Sequence, residues 1–540
     1  MAGFSCGRHA GLLVPLSSAP SRRSWGIGEL ADLPPLCEWL ARAGFDFLQI
    51  LPLNEMAVAD HSPYSAMSAM AIDPIYIAVH QIPDFEAVGG EGSLRPEQRR
   101  RLAAVRVSRR IAYQDVRALK TDALRTAFSR FHQVEWLPRS RRARQLHAYI
   151  DRERAWLDDY TLFRALHQQS GERAWWEWDE TLAQRERRAL RQARAALADE
   201  LLFHAYVQWQ ADLQWHYARR AAAPVKVFGD LPFMVAADSA DVWSNQEAFR
   251  LDASIGAPPD AFNAAGQDWG MPAYRWEVFA AGHDAWIRAR ARRAAALFDG
   301  YRIDHLVGFY RTFVIPSDGS GRYFSPGLET DQLAQGERVM KAFLDAGATV
   351  VAEDLGVVPE FVRESQLRLA IPGYTVFRWE RDWDLPDQPF RDPETYPPLS
   401  LATTGTHDTE TLVEWWEAAA AEERSKVAAL PFLASRPLDP AAPGYDEATR
   451  DRLLELIVAS SSNLVLLPIQ DVFGWRDRIN IPGTVAESNW TWRLPWPVDV
   501  LDHHPVAAKR AGMLAAWMQR NGRGSRAQGG FDRGLQRPQT

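Results

Sequence analysis

The chain carries only two cysteines, Cys6 and Cys37, both near its start. That rules out a disulfide framework and a thiolate metal site, and it suits a reducing compartment, so a cytoplasmic setting is expected. No stretch approaches the roughly 18 apolar residues of a membrane-spanning helix, so no membrane partner is expected. Positive charge is not in surplus either. Lys and Arg number 62 against 69 Asp and Glu, a formal net charge of −7, which gives no electrostatic footprint for nucleic acid. The apolar stretch 11–19 (GLLVPLSSA) is interrupted by Pro15 and too short for a signal-peptide core, and it reads as a first strand.

What is present points to a large globular enzyme. The 540 residues are 46% hydrophobic and 24% charged, enough apolar material for a sizeable core. Tryptophan is plentiful, with 22 copies, and Trp25, Trp269, Trp475, Trp490 and Trp492 fall in loop-like company. Buried packing accounts for most indoles, but a loop-borne subset also suits the flat C–H faces of sugar rings.

Eight short apolar runs alternate with amphipathic segments. The runs are 11–16, 46–51, 225–229, 300–303, 348–352, 374–379, 400–404 and 463–467. Most are continuously apolar rather than alternating, as strands covered on both faces should be. Helical spacing appears over 29–43, 284–298, 328–346, 359–369 and 409–420. Strand-helix alternation eight times over predicts an α/β fold, a closed (β/α)8 barrel. One catalytic barrel is expected over 1–520, with a mainly helical subdomain inserted at 80–223 and an active-site loop insertion at 231–277. The polar, Gly-rich end 521–540 reads as a disordered tail. Two Arg-rich runs in the helical insertion, near 99–110 and 139–145, read as solvated helix faces balanced by nearby acids.

Side chains at the C-terminal ends of barrel strands gather in one cleft. Asp230 ends the third run, Asp304 the fourth and Glu353 the fifth, while Asp408 follows the seventh. Any one of them has an ordinary alternative as a helix N-cap. Capping does not explain all of them on one barrel face, and a carboxylate in such a place is costly unless paired or used. Three convergent acids suit glycosidic chemistry: one attacks the anomeric carbon, one protonates the leaving oxygen, and a third steadies the cationic transition state. Arg302, two residues before Asp304 on the same strand, shares its face and supplies a fixed positive charge. Glu353 has no basic neighbour in VVAEDLG, so crowding by other acids is expected to raise its pKa toward that of a general acid. His305 and His407, each beside an acid, are placed to hydrogen-bond sugar hydroxyls.

These motifs, in this order, resemble the amylomaltase or disproportionating-enzyme family, glycoside hydrolase family 77, in the α-amylase superfamily. The resemblance runs from GLLVPLSS and SWGIGEL through SPYSAMSAMAIDPIYI, GDLPFMVAADSADVW, GQDWGMPAYRW, GYRIDHLVGFYR, VVAEDLGVVP, TTGTHDT and PIQDVFG to RINIPGT and NWTWR. It implies a retaining 4-α-glucanotransferase acting on α-1,4-glucans and maltooligosaccharides, with no metal or organic cofactor in the chemistry. It further implies Asp304 as nucleophile, Glu353 as acid/base and Asp408 as transition-state stabiliser, supported by Arg302 and His407. By the same resemblance the segment 258–269 forms a loop over the substrate, with Asp260, Gln267 and Trp269 touching glucan, and Tyr64 and Trp25 lie near the site. The chain departs from the family pattern at LPLNEM (51–56), Asp73, Ala261 and Thr409, positions that bear on subsites rather than on reaction type. The alternatives at this stage are an α-1,4-glucan hydrolase, which shares the first chemical step, a catalytically idle glucan-binding protein on the same fold, and a metal-dependent barrel hydrolase, for which no HxH spacing is present.

Overall fold

The computed structural model describes residues 7–57, 60–259, 266–282, 284–441 and 444–524. Cys6, Asp260, Ala261 and the tail beyond 524 lie outside the described residues. Eight parallel strands close into a barrel: β1 (His9–Leu13), β2 (Phe47–Gln49), β3 (Lys226–Leu231), β4 (Gly300–Ile303), β5 (Thr349–Ala352), β6 (Gly373–Val376), β7 (Ser400–Thr403) and β8 (Leu464–Pro468). Each strand pairs with its neighbours in sequence, and β8 returns to β1.

The strands are apolar on both faces because each face meets a different layer. Leu13, Phe47, Phe228, Val351, Leu401 and Leu464 fill the barrel interior. Their alternates, Leu12, Leu48, Val227, Val350, Ala402 and Val465, join the larger core beneath the surrounding helices. Period two therefore holds, hidden in the sequence because both sets are hydrophobic. Glycine makes room for the largest interior rings. A Cβ on Gly11 would meet the Phe47 ring at 2.3 Å, and one on Gly300 the Phe228 ring at 2.6 Å.

Most strand boundaries differ by a residue or more from the sequence reading, and two of the differences have a plain cause. β1 stops at Leu13 rather than at 16, because Pro15 has no N–H to donate and the chain turns at Leu16–Ser18. β6 stops at Val376 rather than at 379, and Phe377–Trp379 forms a 3-10 turn. Buried Arg378 draws this segment toward the next loop by donating to the carbonyls of Thr404 and Glu410. Of the segment 521–540 expected as a tail, residues 521–524 are described. Arg523 is buried beneath the barrel, donating to the carbonyls of Val458, Ser460 and Ser462 at 2.6–2.8 Å and to those of His9 and Asn463 at 3.3–3.4 Å.

Between β2 and β3 the chain forms a helical layer whose long members are Pro96–Val107, Tyr113–Phe131, Arg141–Gln169 and Ala198–Ala221. Several of its arginines are paired: Arg101 with Asp115, Arg106 with Glu91, Arg142 with Asp84. The last helix lies on the barrel, where the Trp215 indole donates to the Leu297 carbonyl at 2.8 Å. This layer also answers two departures from the family pattern. Glu55 pairs with Arg164 at 3.1 Å and accepts from Tyr160, and Asp73 takes a two-pronged Arg117 at 2.9 and 2.8 Å. Both acids sit at the base of the hairpin Asn54–Met56 and Ala66–Ile72, which carries Tyr64. The segment after β3, expected as a loop, supplies Phe249–Ala257 and Gln267–Tyr274 to a four-stranded sheet completed by Thr312–Pro316 and Tyr323–Ser325 from beyond β4.

Replacing Gly300 by Ala should destabilise the protein by about 1–3 kcal/mol, since the stiff Phe228 ring has no flexible end to move aside. Denaturant unfolding measures this; a variant as stable as the parent would show that the interior has slack the packing does not suggest.

Candidate active site

Barrel register assembles the charged centre. Asp230 on β3 and Arg302 on β4 are direct partners across the strand pair, and Val351 on β5 flanks Arg302 on its other side. Arg302 is 4% exposed. Its guanidinium meets both oxygens of Asp230 at 2.9 and 2.8 Å, and Oδ1 of Asp304 at 2.9 Å. Such a charge is tolerable in the interior only with partners this close. Burial works against the charged form of Arg302, but Asp230 and Asp304 outweigh it and the net shift is upward.

The next two acids are fixed by backbone bonds that extend the strand ladders. The Asp304 amide donates to the Leu231 carbonyl at 3.0 Å, and the Glu353 amide to Ile303 at 2.9 Å. His305 then turns left-handed, with φ of 44°, a conformation uncommon outside glycine. The turn aims its amide at Glu353 Oε2, 2.8 Å away. Burial foremost, then the nearby Asp304 charge, pushes the Glu353 carboxyl up to about 7, while Arg302 and the His305 amide oppose the shift. The upward direction expected from sequence is there, but its cause is chiefly burial, and the opposing cation is Arg302, which no reading of VVAEDLG alone reveals. Asp230 is also raised, by burial first, against the pull of Arg302.

Asp408 sits across the cleft on the loop after β7. Burial would raise it, yet His407 and Asn480 hold it down to about 2. His407 Nε2 lies 3.2 Å from Asp408 Oδ2, and the Asn480 amide donates to Oδ1 at 2.6 Å. Arg478 donates to the Asp408 carbonyl at 2.9 Å. Thr409, another departure from the family pattern, accepts the Thr406 amide at 3.0 Å and closes this loop on itself. For His407, burial pulls the pKa down but contact with Asp408 wins, and the shift is upward.

Tyr64 joins the two sides. Its hydroxyl donates to Asp230 at 2.8 Å, which leaves it to accept from His407 Nε2 at 3.0 Å. Its ring stacks on the His407 imidazole at 5.3 Å, and Trp490 stands beside both. His305, pushed down to about 4 by burial ahead of every other influence, presents a neutral imidazole. The Trp269 indole meets that ring edge to face at 4.9 Å and donates to the exposed Gln267 side chain at 3.0 Å. Among the described residues, no group of three or more His, Cys, Asp or Glu side chains is arranged to hold a metal ion.

The structure thus joins Asp304, Glu353, Arg302, Asp408, His407, His305 and Tyr64 in one centre, with Trp269 and Gln267 at its edge. Asp260 lies outside the described residues. Trp25 is a correction: its side chain is fully buried, its ring edge on Phe85 and its indole N–H donating to Glu91 at 3.0 Å, so it has no surface to offer a ligand. Asp230 belongs to the centre, as do Asn480, Arg478 and Trp490, which the strand-end rule did not select. Their signal was the RINIPGT and NWTWR segments themselves, whose place in space the sequence does not state.

A (β/α)8 barrel with carboxylates converging on one arginine at its C-terminal face defines the class of barrel enzymes that work on glycosidic bonds. The family described as 4-alpha-glucanotransferase, glycoside hydrolase family 77, matches residues 14–499. A 4-alpha-glucanotransferase of Thermus thermophilus is 34% identical over 506 residues, covering 90% of this chain and 95% of the relative. One from Chlamydia pneumoniae is 31% identical over 509 residues, covering 92% and 93%. The amylomaltase from Streptococcus agalactiae in complex with acarbose superimposes with a TM-score of 0.79 at 25% identity, covering 96% of this chain and 100% of that one. The chain belongs to glycoside hydrolase family 77, the 4-α-glucanotransferases.

Replacing Arg302 by Met should cost about 3–5 kcal/mol of stability, because Asp230 would stay buried without its counter-charge. A buried carboxyl with a raised pKa stabilises the fold at low pH and loses that contribution as pH rises through its folded value. The deficit should therefore be larger at pH 7 than near pH 4. Urea titrations at both values measure it, and a pH-independent deficit would dissociate the stability of this site from Asp230.

Proposed function

We propose that the chain transfers α-1,4-glucan segments between maltooligosaccharides, or to glucose, by double displacement at this cleft. Asp304, paired with Arg302, attacks the anomeric carbon while protonated Glu353 gives its proton to the departing glycosidic oxygen. The sugar is then held as a covalent ester on Asp304. The 4-hydroxyl of an incoming glucan loses its proton to Glu353, now a carboxylate, and attacks the same carbon, so configuration is retained and Glu353 is returned to its acid form. Asp408, kept ionised by His407 and Asn480, faces the positive charge that develops on the ring. His305, His407 and Tyr64 present hydrogen-bonding groups to sugar hydroxyls.

The observation that carries this reading is the contrast between two acids in one cleft: Glu353 pushed up to about 7 and Asp408 held down to about 2. One keeps a proton to give, and the other keeps a charge. Transfer rather than hydrolysis is supported by Trp269 and Trp490 at the cleft, whose indoles suit an acceptor sugar and exclude water, and by the family. The two-cysteine composition supports a cytoplasmic setting.

Incubation with maltotriose should yield glucose together with a ladder of longer maltooligosaccharides. Glucose and maltose with no longer product would replace transfer with hydrolysis.

Because Glu353 must hold its proton to protonate the leaving oxygen, kcat/KM should fall as pH rises through about 7. A Glu353→Gln variant should lose at least about 100-fold in rate and show no limb in that range; a parent whose alkaline limb lies far from 7 would remove Glu353 from this role.

A further inference from the structure

The loop after β7 carries His407 and Asp408, and both of its ends are held by a second buried guanidinium and a buried carboxylate. Arg378, from the turn Phe377–Trp379 after β6, is 4% exposed, and Asp471, from the short helix Ile469–Phe473 after β8, is 2% exposed. They approach the loop from its two neighbouring strands.

At the first end, Arg378 donates through Nε and Nη2 to the Thr404 carbonyl at 3.2 and 2.9 Å, while Asp471 accepts from the Thr404 hydroxyl at 2.5 Å. At the other end, Arg378 Nη1 donates to the Glu410 carbonyl at 2.9 Å and pairs with the Glu410 carboxylate at 2.8 Å. Asp471 accepts there from the Leu412 amide at 2.7 Å. Each charge therefore grips both ends. A cation buried this deeply needs acceptors and an anion needs donors, so withdrawing either end of the loop would leave both charges short of a partner.

The span between the anchors is equally confined. A Cβ on Gly405 would lie 2.4 Å from Thr409 Oγ1 and 3.2 Å from Arg378 Nη2. The Thr403 hydroxyl donates to the Gly405 carbonyl at 2.7 Å. Beyond Glu410 the chain enters helix Leu412–Ala418, whose start is fixed by the capping box of Thr411 and Glu414. His407 and Asn480 contact the Asp408 carboxylate itself; the anchors at 404 and at 410–412 set the backbone that carries it.

We propose that Arg378 and Asp471 are positioning residues for glucan transfer, holding the Asp408 carboxylate where it faces the positive charge that develops on the sugar ring. This rests on the role given to Asp408 in the proposed transfer. Misplacing such a group by about 1 Å costs on the order of 100-fold in rate.

Arg378→Met keeps the length of the side chain and removes its donors. It should lower kcat for maltotriose disproportionation about 100-fold while KM changes less than about threefold. It should also weaken binding of a cationic iminosugar by the same factor, because such a ligand resembles the charge of the transition state. A role confined to stability would reduce the amount of folded enzyme and leave the inhibitor affinity of the folded fraction unchanged. If Arg378→Met does not fold, Thr404→Val tests the same clamp: it keeps the carbonyl that Arg378 holds, removes the hydroxyl that Asp471 holds, and should lower both kcat and iminosugar affinity about tenfold. A fall in kcat with unchanged iminosugar affinity, or full retention of both, would overturn the positioning role. An Asp408→Asn enzyme that keeps its rate and its iminosugar affinity would instead overturn the role of Asp408, and is measured separately.

Discussion

Everything at the mouth of the barrel depends on one buried guanidinium. Arg302 cannot leave the interior, because it is carried on β4 between β3 and β5, and it cannot stay there unpaired. Asp230 supplies a permanent counter-ion from the neighbouring strand, and Asp304 a second one from its own. Tyr64 then ties Asp230 to His407, and His407 ties the network to Asp408. A single cation thus sets the position of groups from β3, β4, the loop after β7 and one hairpin. It also grades the electrostatics of the cleft, lowering the cost of negative charge around it, while burial still raises Glu353 enough to retain its proton.

Much of this was legible in the sequence because it is local. Arg302 and Asp304 are two apart on one strand, so period two alone puts them on one face, and Glu353 follows its own apolar run. Asp408 was found by the same rule applied to β7. What was not legible depends on register between distant segments. That Asp230 faces Arg302 follows from strand pairing, not from either motif. Asn480 and Trp490 arrive from an irregular stretch more than 70 residues beyond the loop they support. The sheet formed by Phe249–Ala257 and Gln267–Tyr274 read as loop because it is rich in Gly and Pro and takes its third strand, Thr312–Pro316, from beyond β4. Trp25 shows the opposite error: a loop-like setting concealed an indole completely enclosed by the core.

The helical layer between β2 and β3 supports the site from behind, and the Tyr113 hydroxyl reaches the Trp490 carbonyl at 2.9 Å. Glu55 and Asp73 are anchored by Arg164 and Arg117 from that layer, and they brace the hairpin from which Tyr64 projects. Where this chain departs from its family in the second-strand loop, its own helices supply the matching charges.

Arg523 joins carbonyls on both sides of the barrel seam, at His9 and at Asn463. A chain made from its N-terminus forms β1 first and must wait for β8 to close the circle, and the residue that clasps the two follows the last barrel helix. Until it emerges, the nascent barrel is an open sheet with two unfinished edges, exposed to pairing with other chains. The cleft at the opposite end of the strands thus reaches its working geometry only after β8 and the helix beyond it have been made.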